Sequence, residues 1–370
     1  MRSRASIHRR QRHTCAAFTI VEMLISVAVL VLIVLLLTQL INSATAITRT
    51  AHKHVDTDTE ARAVFDRMAV DFAQMLRRTD IDTYVKAPNG YKNPNAHGNG
   101  LKLTVGQQGN DQIAFFSQVP GYYPTGAQSS LSLVAYRVRS KNSSPRYLQL
   151  ERMGKGLLWN GVSNGTTSTS AYPIVFSPGQ MDAAILGGSN PGNPWAGPWY
   201  AAINNDNTGQ SDESNPNTYE VIGPQVFRLE YYYLLKDGSV TDVPKITTTT
   251  PWINYPTKTL AANLNAFKDV EAIVVAIGVA DAATRKLLYD PSTPGDEYHL
   301  LFNLMSDMAD FKDANGKGVG AQKIGDVENE WNTVIKSAAT TGHTTDGNAF
   351  PPAAAAAIRV YNRYFELKTL

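Results

Sequence analysis

A single cysteine, Cys15, stands in 370 residues. No intramolecular disulfide can form, so any fold rests on its packed core. The chain also lacks the short motifs of common catalytic centres. It has no G-x-S-x-G, no H-E-x-x-H, no phosphate-binding glycine loop and no cysteine nucleophile beyond Cys15. The paired acids Asp212 and Glu213 fall in a stretch rich in small polar residues, a poor place for fixed acid–base geometry. These absences point away from an enzyme, and no cofactor is expected. Basic charge is also scarce outside one segment. Five of the 34 basic residues, Arg2, Arg4, Arg9, Arg10 and Arg12, lie in the first seventeen positions, which hold no acid. The other 29 face 32 acids, a net near −3, so no general polyanion surface and no nucleic-acid partner are expected.

What is present is one long apolar run. From Phe18 to Ile41 the only charge is Glu22, and from Met23 to Leu37 the only polar residue is Ser26. A helix over those 24 residues spans about 36 Å, enough for a hydrocarbon core of about 30 Å. The basic flank before it predicts a cytoplasmic N-terminus and an exported C-terminus. Three readings compete for this run. A cleaved secretory signal has an A-x-A site at Ala44-Thr45-Ala46, but its apolar region would exceed the usual length. A plain membrane anchor gives Glu22 no purpose, although a carboxylate inside a spanning helix costs roughly 2–3 kcal/mol near the centre and normally has a partner.

The third reading supplies that partner. Ala17-Phe18-Thr19-Ile20-Val21-Glu22-Met23-Leu24 resembles the prepilin cleavage and methylation motif of type IV pilins and pseudopilins, with Ala17 where the family usually has glycine. The resemblance implies that a prepilin peptidase cuts between Ala17 and Phe18 and methylates the new amine of Phe18. Glu22 then pairs with the N-terminal ammonium of a neighbouring subunit, so that each buried charge gains its counter-ion on assembly. It further implies a basic leader over 1–17, a transmembrane helix over 18–41 in the inner membrane, and an exported helical continuation over 42–79.

Beyond the apolar run, Ala61, Val64, Phe65, Met68, Phe72, Met75 and Leu76 recur at spacings of three and four, an amphipathic stripe expected to pack the helix on a core. A break or kink is expected between Asn42 and Asp58, where Thr and His lower helix propensity. Thr79-Asp80 ends the run, and a Gly/Asn/Pro loop follows from Pro88 to Gly100. A β-rich region is expected over 101–290. Leu101–Val105 and Ile113–Ser117 are short strand candidates. Leu131–Arg139 and Arg146–Arg152 alternate, with Leu148 and Leu150 inward and Gln149 and Glu151 outward, and form a hairpin across Lys141–Pro145. Positions 163–218 read as a surface insertion with one short strand at Pro173–Phe176. Phe227, Leu229, Tyr231, Tyr233 and Leu235 alternate up to the Asp237-Gly238 turn, and Ala272–Ala280 is expected to be the most buried strand. A mainly helical region over 297–370 carries stripes Leu300, Leu301, Leu304, Met305, Met308, Phe311 and Val327, Trp331, Val334, Ile335. Periodicity leaves Ile358–Leu367 open between helix and strand. The fold class is α+β, a long N-terminal helix on antiparallel sheet with added C-terminal helices.

The order of elements is similar to the J-type minor pseudopilins of type II secretion and the minor pilins of the PilW kind. The stretch Ala61 to Phe72 looks like their helix end, and Val226-Phe227-Arg228-Leu229-Glu230-Tyr231 before Asp237-Gly238 looks like their later hairpin. Phe115 to Tyr123, Gly156 to Gly161 and Arg359-Val360-Tyr361 resemble the Verru_Chthon cassette protein C family. This implies a pilin-like fold and, as partners, other pilin-like subunits met through the N-terminal helix.

Three further groups were weighed. His52, His54, Asp56 and Asp58 put only i,i+4 pairs on one helix face, which reads as a solvated face rather than a metal site. Asn204, Asp206, Thr208, Gly209 and Asp212 match a calcium loop poorly, with Asn215 where a closing Glu belongs. Trp195, Trp199, Tyr200 and Tyr231 to Tyr233 either cover the core or line a protein- or glycan-binding surface. Two functions follow: a structural subunit of a short pseudopilus or tip complex, or a membrane-anchored module that captures an exported protein or glycan.

Overall fold

A computed structural model describes residues 19–77, 110–122, 130–139, 144–158, 172–173, 219–241, 270–311 and 323–367. The expected strand at Leu101–Val105, the Pro88–Gly100 loop, Thr79-Asp80, the calcium-like loop and Trp195–Tyr200 lie outside them, as does most of the 163–218 insertion. The class is α+β. Two compact units divide the chain, Met1–His52 and Lys53–Leu370.

In the first unit, helix α1 (Ile20–Ala73) begins. Its segment Ile20–Thr45 is 26 residues long, an 18-residue stretch of it has mean hydropathy 3.2, and its apolar side chains face outward. It is long and apolar enough to cross a membrane. The helix assignment continues without interruption through 42–58, so the expected break is absent.

In the second unit, α1 lays its stripe on two sheets. The first consists of β1 (Ile113–Ser117), β2 (Ser132–Val138), β3 (Leu150–Leu158), the two-residue β4 (Tyr172–Pro173) and β5 (Tyr219–Gly223), which pairs β3. β1, β2, β3 and β5 run antiparallel, and β4 joins β3 in parallel. The second sheet has the order β7 (Val240–Thr241), β6 (Val226–Leu235), β8 (Val270–Val279), β9 (Arg359–Glu366), all antiparallel. Gly238, at φ +81°, makes the β6–β7 turn that Asp237-Gly238 announces. The hairpin of β2 and β3 also forms, but β3 begins at Leu150 because 144–149 is a turn with Leu148 at φ +53°.

Phe72 ties the two sheets to the helix. Its ring stacks on Phe115 at 5.1 Å, lies 6.2 Å from Tyr136 and meets Phe365 of β9 at 5.1 Å. The segment left open by periodicity is thus strand β9, whose residues Tyr361, Arg363 and Phe365 face α1. Tyr361 donates to Thr57 Oγ1 at 2.9 Å, and Arg363 to Asp66 Oδ1 at 2.6 Å. Among the described residues, the unit has four further helices: α2 (Ala282–Leu287), α3 (His299–Asp307), α4 (Asp326–Thr341) and α5 (Pro352–Ala355). Asp281 caps α2 by accepting from the backbone of Ala283 and Thr284. Leu301, Leu304 and Met305 of α3 and Val327, Trp331, Ile335 and Ala338 of α4 are buried. This layer meets Arg228, Glu230 and Tyr232, alternate residues of β6, so both faces of that strand are covered.

Candidate functional site

The residues singled out from the sequence fall into two places. Ala17 and Phe18, the expected cleavage and methylation positions, lie outside the described residues. Glu22 sits in the first turn of α1, exposed, and its position is explained locally. Thr19 precedes the helix and donates to Glu22 Oε2 twice, from its backbone N–H at 2.9 Å and from its hydroxyl at 3.0 Å. The Glu22 N–H returns a bond to Thr19 Oγ1 at 3.3 Å. Two N–H groups that a helix start leaves unpaired are thereby satisfied reciprocally, as in a capping box. Its sequence signal is the T-x-x-E of Thr19-Ile20-Val21-Glu22, which the prepilin-like motif overlaps. Both Thr19 donors use Oε2; among the described residues Oε1 accepts nothing. The carboxylate can therefore cap its own helix and still offer one oxygen to another donor.

The second place is the stripe of α1. Val64, Phe65, Met68 and Phe72 are buried in the core of the second unit. Met75 is buried too, but beyond the helix end, where it makes a β-bridge with Ser117. The Ser117 hydroxyl donates to the Asp71 carbonyl at 2.9 Å, and Leu76 N–H to the Phe116 carbonyl at 2.8 Å, so the end of α1 is stitched to the edge of β1.

Among these apolar residues lies a buried ionic group that the hydrophobic pattern did not reveal. Asp71, on α1, receives the guanidinium fork of Arg152 from β3, and the Tyr136 hydroxyl from β2 donates to the same carboxylate. All three side chains are fully buried. Burial first, and then the Asp71 charge, hold the Tyr136 phenol well above its ordinary pKa, so it remains a donor. Arg152 also reaches Glu220 at 3.2 Å. Gly154 is required beside this group, since a Cβ there would sit 2.6 Å from Arg152 Nη1 and 2.9 Å from the Tyr122 ring. A second buried set gathers Arg137, Arg139 and Arg146 around Glu151, at 3.2, 3.1 and 3.7 Å. Glu151 was expected to point outward; it is buried because these cations compensate it. A third joins Arg228 to Asp310 at 2.5 Å and Glu230 at 3.4 Å, under the Trp331 ring.

Tyr231, Tyr232 and Tyr233 are buried, so the aromatic strand covers the core and presents no binding surface. No cluster of three or more metal-ligating side chains occurs among the described residues. The side chains of His52 and His54, and the whole calcium-like loop, lie outside them. Taken together, the described groups can cap, anchor and lock one long helix. No family model matches the chain, and no curated protein matches it.

Proposed function

We propose that this chain is a minor pseudopilin-like structural subunit that works by assembly rather than catalysis. A prepilin peptidase processes it between Ala17 and Phe18, and the helix anchors it once in the inner membrane with its bulk exported. There it joins other pilin-like subunits in a short pseudopilus or tip complex of a type II secretion or type IV pilus-like system. The observation that carries the reading is a single carboxylate, Glu22, at the head of an uncharged apolar helix, four residues after the Phe18 of a prepilin-like motif. A buried charge without a counter-ion is costly, and a neighbour's freed amine supplies that counter-ion only on assembly. Oε1, which accepts no hydrogen bond among the described residues, is the oxygen that amine takes. Support also comes from α1 itself, which leaves the apolar segment and becomes the core element of an α+β unit.

The direct experiment is the intact mass of the protein recovered from membranes. A mature chain that starts at N-methylated Phe18 is expected. A chain that starts after Ala46, its apolar helix discarded, is incompatible with the proposal.

A further inference from the structure

On the second unit, the 144–149 turn, the β5–β6 turn and the α2–α3 segment enclose an open cleft of about 500 Å³. That volume falls in the range of sites that hold a small molecule or a few residues of a chain. Its wall is built around Arg285, which is 6% exposed. The guanidinium donates to the carbonyls of Leu148 at 3.0 Å and Tyr147 at 3.2 Å, and lies 4.8 Å from the Tyr298 ring centre. Among the described residues Leu148 is the one non-glycine with positive φ, so a strained turn is held by this cation. Among the described residues, no carboxylate lies within ion-pair distance of Arg285; Glu60 acts on it from farther away. Burial accordingly pulls the Arg285 pKa below its ordinary value.

Three more features border the same cleft. Lys286 adds a second cation beside the first. Tyr289 and Tyr298 meet edge to face at 5.5 Å, and Tyr289 stays 47% exposed. Gln225 Oε1 is buried and accepts no hydrogen bond among the described residues. A buried acceptor without a donor is costly, and so is a buried cation whose partner carboxylate, Glu60, stays beyond ion-pair distance. A ligand that relieves both must bring a negative group and an N–H donor. The exposed Tyr289 adds an apolar requirement.

We propose that this cleft binds an acidic peptide segment of a partner protein. Its carboxylate pairs with Arg285 and Lys286, a peptide N–H donates to Gln225 Oε1, and an adjacent apolar side chain packs on Tyr289. A bare inorganic anion has neither donor nor apolar surface. An acidic saccharide also has donors and can stack on Tyr289, and it is therefore the competitor that the test must exclude. The inference stands apart from the subunit reading, because it rests on the cleft alone.

The test uses the full chain in detergent micelles and fluorescence anisotropy of a labelled, C-terminally amidated peptide of alternating leucine, glutamate and aspartate. A twin with glutamine and asparagine at the acidic positions is the control, and oligogalacturonate is the saccharide competitor. The acidic peptide is expected to bind at least about tenfold more tightly than its neutral twin. Lys286→Ala and Tyr289→Ala, both exposed positions that leave the fold intact, are each expected to weaken it several-fold. Arg285→Gln is expected to abolish binding; should that variant lose its thermal transition, the two surface variants decide. Equal affinity for the two peptides, no binding of either, or indifference to both surface variants would overturn the proposal. So would oligogalacturonate displacing the probe as well as unlabelled acidic peptide does.

Discussion

Arg152 of β3 holds Asp71 of α1 by two parallel hydrogen bonds, Nε–H to Oδ2 at 2.6 Å and Nη2–H to Oδ1 at 2.9 Å, with both side chains out of water. The pair joins elements 81 residues apart in the chain and sets the helix in register on the sheet. A bidentate fork of this kind fixes direction as well as distance.

Removing one partner leaves the other charge buried. Arg152→Met or Asp71→Leu alone is expected to lower the stability of the second unit by about 3–5 kcal/mol. The double variant Asp71→Leu/Arg152→Met is expected to recover most of that loss, since neither charge remains to be desolvated. Urea unfolding of the full chain in micelles reads all three. A double variant as unstable as either single would mean that the pair itself, not the orphaned charge, supplies the stability, and one as unstable as their sum would mean that the two residues act independently.

Much of the layout was legible from periodicity alone. β1 spans the five residues Ile113–Ser117 expected of it, α4 carries the whole of its stripe, and α3 carries Leu300, Leu301, Leu304 and Met305 of the other, whose Met308 and Phe311 lie beyond the helix end. Alternation failed where a strand is covered on both faces. Every residue of β2 is buried, including Arg137, and Glu151 opposite it lies inside. The rule assumes one wet face. Here the second face is covered by elements distant in sequence, and its polar residues are buried as compensated pairs. β9 was undecidable for a related reason: its strand state comes from pairing with β8 and packing on α1, neither of which is encoded locally. At the helix head the local code was complete, for T-x-x-E is itself a start signal.

That capping box allows two roles of Glu22 to be separated. Glutamine at the third helical position still accepts from Thr19, so Glu22→Gln keeps the cap and removes the charge. Thr19→Val does the reverse. If the proposed assembly depends on charge pairing, Glu22→Gln is expected to insert normally and to lose co-purification with the proposed pilin-like partners, and the same is expected of Glu22→Ala and Glu22→Leu. Thr19→Val is expected to retain it. Co-purification that survives Glu22→Gln but not Thr19→Val would reduce Glu22 to a helix cap.

Glu328 offers a pH-dependent check on the α4 layer. It is 6% exposed, faces the Tyr232 hydroxyl at 3.4 Å, and has its pKa raised above 4.5, chiefly by burial. An unfolded carboxyl titrates near 4.5, so between that value and the folded pKa the native state holds more protons. Stability is therefore expected to fall as pH rises through this window and to level off above it. Glu60, raised by burial as well, adds to the same fall. Glu328→Gln should flatten part of the slope when urea midpoints are compared at successive pH values. A slope identical to that of the parent would show that the carboxyl is as well solvated folded as unfolded.

The aromatic junction at Phe72 makes the strongest claim about how one helix supports two sheets. Its ring touches Phe115 and Tyr136 of the first sheet and Phe365 of the second, at 3% exposure. Truncation to alanine opens a cavity that neither sheet can close without moving against the other. Phe72→Ala is expected to cost about 3–5 kcal/mol, near the upper range for a buried aromatic. Phe72→Leu is expected to cost less, because it refills part of the volume. Val70→Ala, on the exposed face of the same helix, should change stability by no more than about 0.5 kcal/mol. The ordering of the three, read from denaturant midpoints, tests whether α1 is the common core element of both sheets. If Phe72→Ala behaves like Val70→Ala, the sheets hold together without it.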